Sequence, residues 1–153
     1  MQYTLTIEIN GPREEVVQLF CNPENRKEWQ PGLQSYEPVS GDTGKEGAIT
    51  RLSYQMGKRH MEMVETITTR NLPDEFHGTY EAHGTLNIQK NYFTELENNR
   101  TLWTSECEFR FSSFSMKLMG LLMPGAFKKQ SYRYMVLFKQ FAEREIPAET
   151  SAT

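Results

Sequence analysis

The sequence predicts an α+β fold in which seven strands curl round one long C-terminal helix and leave a cavity beside it. Three observations carry this reading. Residues 116–145 have helical periodicity: Leu118, Leu121, Leu122, Tyr132, Met135, Val136 and Phe138 recur at spacings of three, four or their multiples, which makes a broad apolar face. Most of the chain before them alternates with period two. Successive strands are joined by short connections, which implies antiparallel neighbours, because a parallel pair needs a crossover of about a dozen residues or more.

The first strand is set by Tyr3, Leu5, Ile7 and Ile9, which alternate with Gln2, Thr4, Thr6 and Glu8 and leave one face to be buried. Asn10-Gly11-Pro12 stops it and starts a helix to about Phe20. Proline suits the first helical position, where its missing N–H would have no partner, and Glu14 and Glu15 favour the positive end of the helix dipole. Asn22-Pro23-Glu24 repeats the signal, so a second short helix runs to about Trp29 before Pro31-Gly32 turns the chain. Six strands follow, over residues 33–39, 47–56, 59–70, 75–82, 84–96 and 100–111, with turns at Ser40-Gly41-Asp42, Gly57-Lys58, Asn71-Leu72-Pro73-Asp74 and Glu97-Asn98-Asn99. A straight helix over 116–145 would measure about 45 Å, more than the roughly 40 Å diameter of such a domain. Pro124-Gly125 predicts a kink or break that removes the overhang. The span 126–143, about 27 Å long, then fits the width.

A length of 153 residues fits one domain, expected over 1–145, with the aperiodic residues 146–153 as a disordered tail. A hydrophobic share of 37% with 12% aromatic residues describes a packed globule rather than a disordered chain. The net charge of −3 is uneven. Residues 116–145 hold six basic residues (Lys117, Lys128, Lys129, Arg133, Lys139, Arg144) against two acidic ones (Glu143, Glu145), so the remainder carries −7. A solvated outer helix face explains that bias, and the acidic remainder argues against nucleic acid. No apolar run approaches the roughly 18–20 residues of a membrane span. Met1 leads straight into a strand pattern, so a cytoplasmic protein without stable membrane insertion is expected. Cys21 and Cys107 lack a disulfide or zinc pattern and read as reduced core residues.

Alternation also says which side chains share a face. Met61, Met63, Glu65 and Ile67 fall together, as do Leu52, Tyr54 and Met56, then Phe76, Tyr80 and Ala82, then Trp103, Cys107, Phe109 and Phe111. Faces this rich in methionine and aromatic groups either pack a dry core or adapt to a ligand. Residues 116–123 carry one charge, Lys117, among Leu118, Met119, Leu121, Leu122 and Met123. Such a segment packs on the sheet rim, closes a pocket mouth as a lid, or meets a membrane or partner.

Four stretches sharpen the reading: Pro12-Arg13-Glu14-Glu15-Val16-Val17 opening the first helix, Trp29-Gln30-Pro31-Gly32-Leu33 after the second, Asn99-Arg100-Thr101-Leu102-Trp103 entering the last strand, and Leu137-Phe138-Lys139-Gln140-Phe141-Ala142-Glu143 near the helix end. In this order and spacing, over essentially its whole length, the chain resembles the helix-grip proteins of the START, polyketide-cyclase and pollen-allergen superfamily, often called SRPBCC. The resemblance implies a seven-stranded curved antiparallel sheet wrapped round the C-terminal helix, two short helices between the first two strands, and a mostly apolar cavity. Members bind lipids, sterols, polyketides and other hydrophobic molecules; some are enzymes and others carriers or co-chaperones, so the fold leaves function open.

The expected function is therefore binding of a small hydrophobic or amphipathic ligand, lipid- or polyketide-like, without a cofactor. The sheet would contribute Leu52, Tyr54, Met56, Met61, Met63, Glu65, Phe76, Tyr80, Trp103 and Phe109. The helix would contribute Leu118, Leu122, Tyr132, Met135 and Val136. Buried without a partner, Glu65 would favour its neutral form and suit general acid–base work; at the rim, or paired with a base such as Arg51 or Lys90, it is structural. Lys90 falls in phase with Leu86, Ile88 and Tyr92 unless a bulge reverses that strand. Tyr54 and Tyr80 offer hydroxyls that could orient a polar ligand group. His60, His77 and His83 lack metal-ligand spacing and fall opposite the apolar faces, so surface histidines and no metal are expected. No glycine-rich nucleotide loop or serine or cysteine nucleophile motif is present. The alternatives are a cyclase- or dehydratase-like enzyme using Glu65 with a tyrosine, and a co-chaperone- or toxin-like module docking through the basic helix and the apolar stretch before Pro124.

Overall fold

The computed structural model describes residues 1–147. Its strands are β1 (Gln2–Asn10), β2 (Leu33–Ser40), β3 (Ile49–Met56), β4 (Arg59–Asn71), β5 (Glu75–Ala82), β6 (Thr85–Leu96) and β7 (Arg100–Phe111). They form one antiparallel sheet in the order β1-β7-β6-β5-β4-β3-β2. Helix α1 (Arg13–Cys21), a 3-10 turn (Pro23–Asn25) and the short α2 (Arg26–Trp29) separate β1 from β2, and α3 (Phe114–Leu122) and α4 (Pro124–Glu145) close the chain. This is the element order that the alternation and turn residues predict, and the helix-grip architecture that the resemblance implies.

Local chemistry accounts for the boundaries. Asn22 Oδ1 accepts from Glu24 N at 3.0 Å and opens the 3-10 turn. Asn98 and Asn99 take left-handed backbone angles (φ 61° and 54°), which asparagine tolerates, and so close the β6–β7 hairpin. Pro12 stands one residue earlier than expected, as the extended residue before α1, and its carbonyl accepts from Val16 N at 3.0 Å. The C-terminal helix breaks at Met123 (φ −132°, ψ 55°), and Pro124 becomes the first residue of α4. The first half begins at Phe114 rather than Met116, because Ser113 Oγ accepts from Met116 N and caps it.

The main core gathers round Phe20. The rings of Phe93 and Trp103 lie 5.1 Å from it, and those of Trp29 and Phe138 lie 5.4 Å away. Val16, Val17, Ile67, Phe76, Met135, Phe141 and Ala142 complete it. Polar contacts fix the end of α4 to β1: Lys139 Nζ donates to Glu8 O (2.6 Å) and Glu143 Oε2 (2.9 Å), and Glu143 Oε2 also accepts from Asn10 N (2.8 Å). A second, smaller core of Leu33, Leu52 and Tyr54 lies at the β2–β3 side, with Tyr36, Met56, Met61, Met63 and Tyr80 packed on it.

The expected tail needs one correction. Ile146, placed at its start, is buried in the main core. It fits because residue 11 is glycine, where a Cβ would sit only 2.5 Å from Ile146 Cδ1. Lack of periodicity in a short stretch says nothing about whether its first residue docks. The expected tail from residue 148 onward lies outside the described residues.

Candidate ligand-binding site

The concave face carries a polar row between the two cores. Glu65 on β4 stands opposite Thr50 on β3 and Tyr80 on β5; Tyr80 stands opposite Asn87 on β6, and Asn87 opposite Phe109 on β7. Directly opposed residues are contact neighbours on one face, so the register alone assembles Thr50, Glu65, Tyr80, Asn87 and Phe109 in a line. The next row holds Ile67, Gly78, Gln89, Cys107 and Tyr3. At Gly78 a Cβ would stand 3.2 Å from the backbone oxygen of Thr66, a tight contact, and 3.7 Å from the Tyr80 hydroxyl.

The short helix α2 closes over this row and supplies its counter-charge. Arg26 Nη1 donates to Glu65 Oε2 at 2.7 Å, with side-chain exposures of 10% and 1%. The guanidinium carbon also lies 5.4 Å from the centre of the Tyr36 ring, within cation–π range. Just past α2, Gln30 Oε1 accepts from Tyr54 Oη at 2.8 Å. Burial disfavours the Arg26 charge, but the adjacent Glu65 carboxylate outweighs it and lifts the guanidinium above its ordinary range. Burial, reinforced by Glu65, holds the Tyr80 phenol well above its usual value. Tyr54 is raised likewise by burial, with Arg26 pulling the other way. Both phenols therefore stay protonated at neutral pH, and Tyr54 spends its proton on Gln30.

Glu65 Oε1, Asn87 Oδ1 and Thr85 Oγ1 are buried here with no hydrogen-bond partner among the described residues. Orphaned buried polar atoms are uncommon, and these lie on the two strands that flank β5. Tyr80, Asn87, Gln89 and Phe109 point inward and yet are only half-buried, whereas Phe76, Phe93 and Trp103 in the main core are fully covered. At the far end, Phe127 on α4 lies 5.0 Å from Phe109 and 5.5 Å from Phe111. Beside them Tyr3 Oη contacts Ser131 Oγ (2.7 Å) and donates to Phe127 O (3.1 Å), tying β1 to α4.

Of the residues singled out in the sequence, Leu52, Tyr54, Met56, Met61, Met63, Glu65, Tyr80 and Phe109 meet on this concave face. Phe76, Trp103 and Met135 belong to the closed main core, and Val136 is half-buried. Leu118, Leu122 and Tyr132 do not join them and face solvent, at 43%, 69% and 44% exposure. The break at Met123 resets the helical phase, so Leu118 and Leu122 do not keep the face of Met135, while Tyr132, on α4 itself, lies about 120° round the helix from Phe138 at 3.6 residues per turn.

Three further expectations are corrected. Neither Arg51 nor Lys90 partners Glu65: Arg51 points outward, 3.8 Å from Glu37, and Lys90 is exposed. In β6 it is the polar phase, Asn87, Gln89 and Asn91, that faces inward with Phe93, while Leu86, Ile88, Lys90 and Tyr92 face out. His60 and His83 are exposed, but His77 is buried: its Nδ1 accepts from Asn91 N at 3.1 Å, and the Tyr92 ring covers it at 4.9 Å. Arg26, Gln30, Thr50, Asn87 and Gln89 were not legible as site residues; the polar inward phase of β6 was the signal available for two of them. Among the described residues, no three His, Cys, Asp or Glu side chains gather as metal ligands.

A family model described as polyketide cyclase / dehydrase and lipid transport matches residues 1–136. No curated protein matches the sequence. Similar folds occur in Ara h 8.0201 (11% identity, TM-score 0.74, covering 94% of this chain and 98% of that one) and in a Geobacillus kaustophilus protein (14%, 0.75, 94% and 96%). Norcoclaurine synthase from Thalictrum flavum, in complex with dopamine and hydroxybenzaldehyde, also shares the fold (10%, 0.72, 96% and 88%).

Proposed function

This chain belongs to the polyketide cyclase/dehydrase and lipid-transport family, and from that premise we propose that it binds a small amphipathic molecule, lipid- or polyketide-like, with its polar end at Glu65 and its apolar body between the sheet and α4. The observation that carries the reading is the carboxylate itself. One oxygen of Glu65 is held by Arg26, the other is buried and makes no well-formed hydrogen bond among the described residues, and the Tyr80 hydroxyl stands close enough to the carboxylate for Glu65 to raise its pKa further. Leaving a buried acceptor unpaired costs about 1–3 kcal/mol, which a ligand hydroxyl or N–H would recover. The half-exposed inward side chains of Tyr80, Asn87, Gln89 and Phe109 supply the wall for its body.

The same chemistry sets a preference. Arg26 is already neutralised by Glu65, so a ligand carboxylate would meet a like charge without a free cation. A long-chain alcohol should therefore displace a fluorescent apolar probe at lower concentration than a fatty acid of equal length. Equal or better displacement by the acid would refute the anchor, and no displacement by either would refute ligand binding. Native mass spectrometry of the purified protein adds a direct search for a bound molecule.

A second reading, a cyclase- or dehydratase-like enzyme, draws on the same oxygen: the free Glu65 Oε1 could take a proton from an acidic C–H while Tyr80 donates to the adjoining carbonyl. Its test is Glu65→Gln, which should abolish turnover of a poly-β-keto thioester while leaving probe binding measurable. Unchanged turnover would end that reading.

A further inference from the structure

The helix α3 buries none of its residues. Phe114, Leu121 and Leu122 are 80%, 77% and 69% exposed, and Leu118, Met119 and Met123 are also open to solvent. Its other side is nonetheless seated on the sheet: Gly120 lies so close to Phe111 that a Cβ would stand 2.6 Å from the ring, and Met116 approaches Gly84 in the β5–β6 turn. A helix seated on the sheet by one side that presents this much apolar surface on the other is built to be covered.

Charge says by what. From residue 109 to 142 the chain holds Arg110, Lys117, Lys128, Lys129, Arg133 and Lys139 and no acidic residue, although its net charge is −3. Lys117, Lys128, Lys129 and Arg133 are exposed on α3 and the first turns of α4. Two copies of this chain meeting face to face would bring these cations together, which opposes association. An anionic bilayer suits both features, with apolar side chains entering the headgroup boundary and lysines meeting the lipid charges. At nine residues α3 measures about 14 Å, and no described helix is long and apolar enough to cross a membrane.

We propose that α3 and the start of α4 dock this protein on the surface of an anionic membrane, with α3 lying in the plane of the interface. Docking there brings the Phe109, Phe111 and Phe127 end of the interior to the bilayer. The surface stands independently of what the interior binds.

The test is flotation of the full chain with vesicles of phosphatidylcholine alone or with about one third phosphatidylserine. Binding is expected to the anionic vesicles, to weaken as salt is raised, and to be slight with the neutral ones. Lys128→Gln with Lys129→Gln should weaken it about thirtyfold, at roughly fivefold per charge. Lys128→Arg with Lys129→Arg should retain it, and Leu121→Glu with Leu122→Glu should abolish it. These side chains are exposed, so circular dichroism and the urea midpoint should not change. The proposal is overturned by no flotation, by equal binding to neutral vesicles, or by insensitivity to either disruptive pair. It is equally overturned if sedimentation finds a dimer that the Leu121/Leu122 variant dissociates, because the surface is then an interface between copies. Probe displacement from the interior without vesicles should be the same in all variants, which separates failure here from failure of the ligand-binding reading.

Discussion

Arg26 Nη1 donates to Glu65 Oε2 at 2.7 Å across 39 residues of chain, and both side chains are withdrawn from water. Neither charge would be tolerated alone in that position, since removing one partner of a buried pair leaves the other desolvated and costs about 3–5 kcal/mol. Arg26→Met should lower unfolding stability in urea by that amount. Arg26→Met with Glu65→Leu should recover most of the loss, because two apolar groups of similar volume leave no orphaned charge. A double variant as unstable as the single one would mean that the pair is not coupled.

Alkaline titration offers an independent view of the same site. The Tyr54 and Tyr80 phenols are raised above 10.0 chiefly by burial, so the folded state keeps protons that the unfolded chain releases near that pH. Their stabilising contribution is fully present below pH 10 and is lost as pH rises past it. Absorbance at the phenolate band should rise less in the folded protein than in urea at about pH 11. The urea midpoint should fall over the same interval, less steeply in Tyr54→Phe.

Phe20 contacts the rings of Trp29, Phe76, Phe93, Trp103 and Phe138. Phe20→Ala should cost about 3–5 kcal/mol and flatten the near-ultraviolet circular dichroism, with a smaller loss for Phe20→Leu. Stability retained in the alanine variant would show that the helices can close over the sheet without this ring.

Gly32 joins α2 to β2 with φ of +100°, and a Cβ there would stand 2.7 Å from the backbone oxygen of Gln55. Gly57 also has positive φ (+63°) but nothing within 4 Å. Gly57→Ala should therefore cost about 1 kcal/mol for the left-handed backbone alone. Gly32→Ala should cost that strain plus the clash, about 3 kcal/mol, and disturb the neighbouring Tyr54–Gln30 contact. Equal losses at the two positions would rule out the clash.

The site was partly legible before the fold. Alternation correctly placed Glu65 among Met61, Met63 and Ile67 on the inward face, with Tyr54 and Tyr80 on neighbouring strands. It failed for β6, because hydrophobic phase identifies the inward face only when that face is apolar. There Asn87, Gln89 and Asn91 line the interior, and Asn91 Oδ1 accepts from Trp103 Nε1 at 2.9 Å. The phase that looks like a core, Leu86, Ile88 and Tyr92, lies on the other side.

By itself the sequence determined the order and kind of the elements, the break at Pro124 and the face to which Glu65 belongs, since turn chemistry, helix termini and period-two alternation act between residues a few positions apart. Only the tertiary structure decided that Arg26 is the partner of Glu65, that Ile146 docks under Gly11, and that Leu118 and Leu122 face outward. Each of these depends on where one element comes to rest against another. That seating is set by packing and charge pairing over long stretches of chain, which no local period encodes.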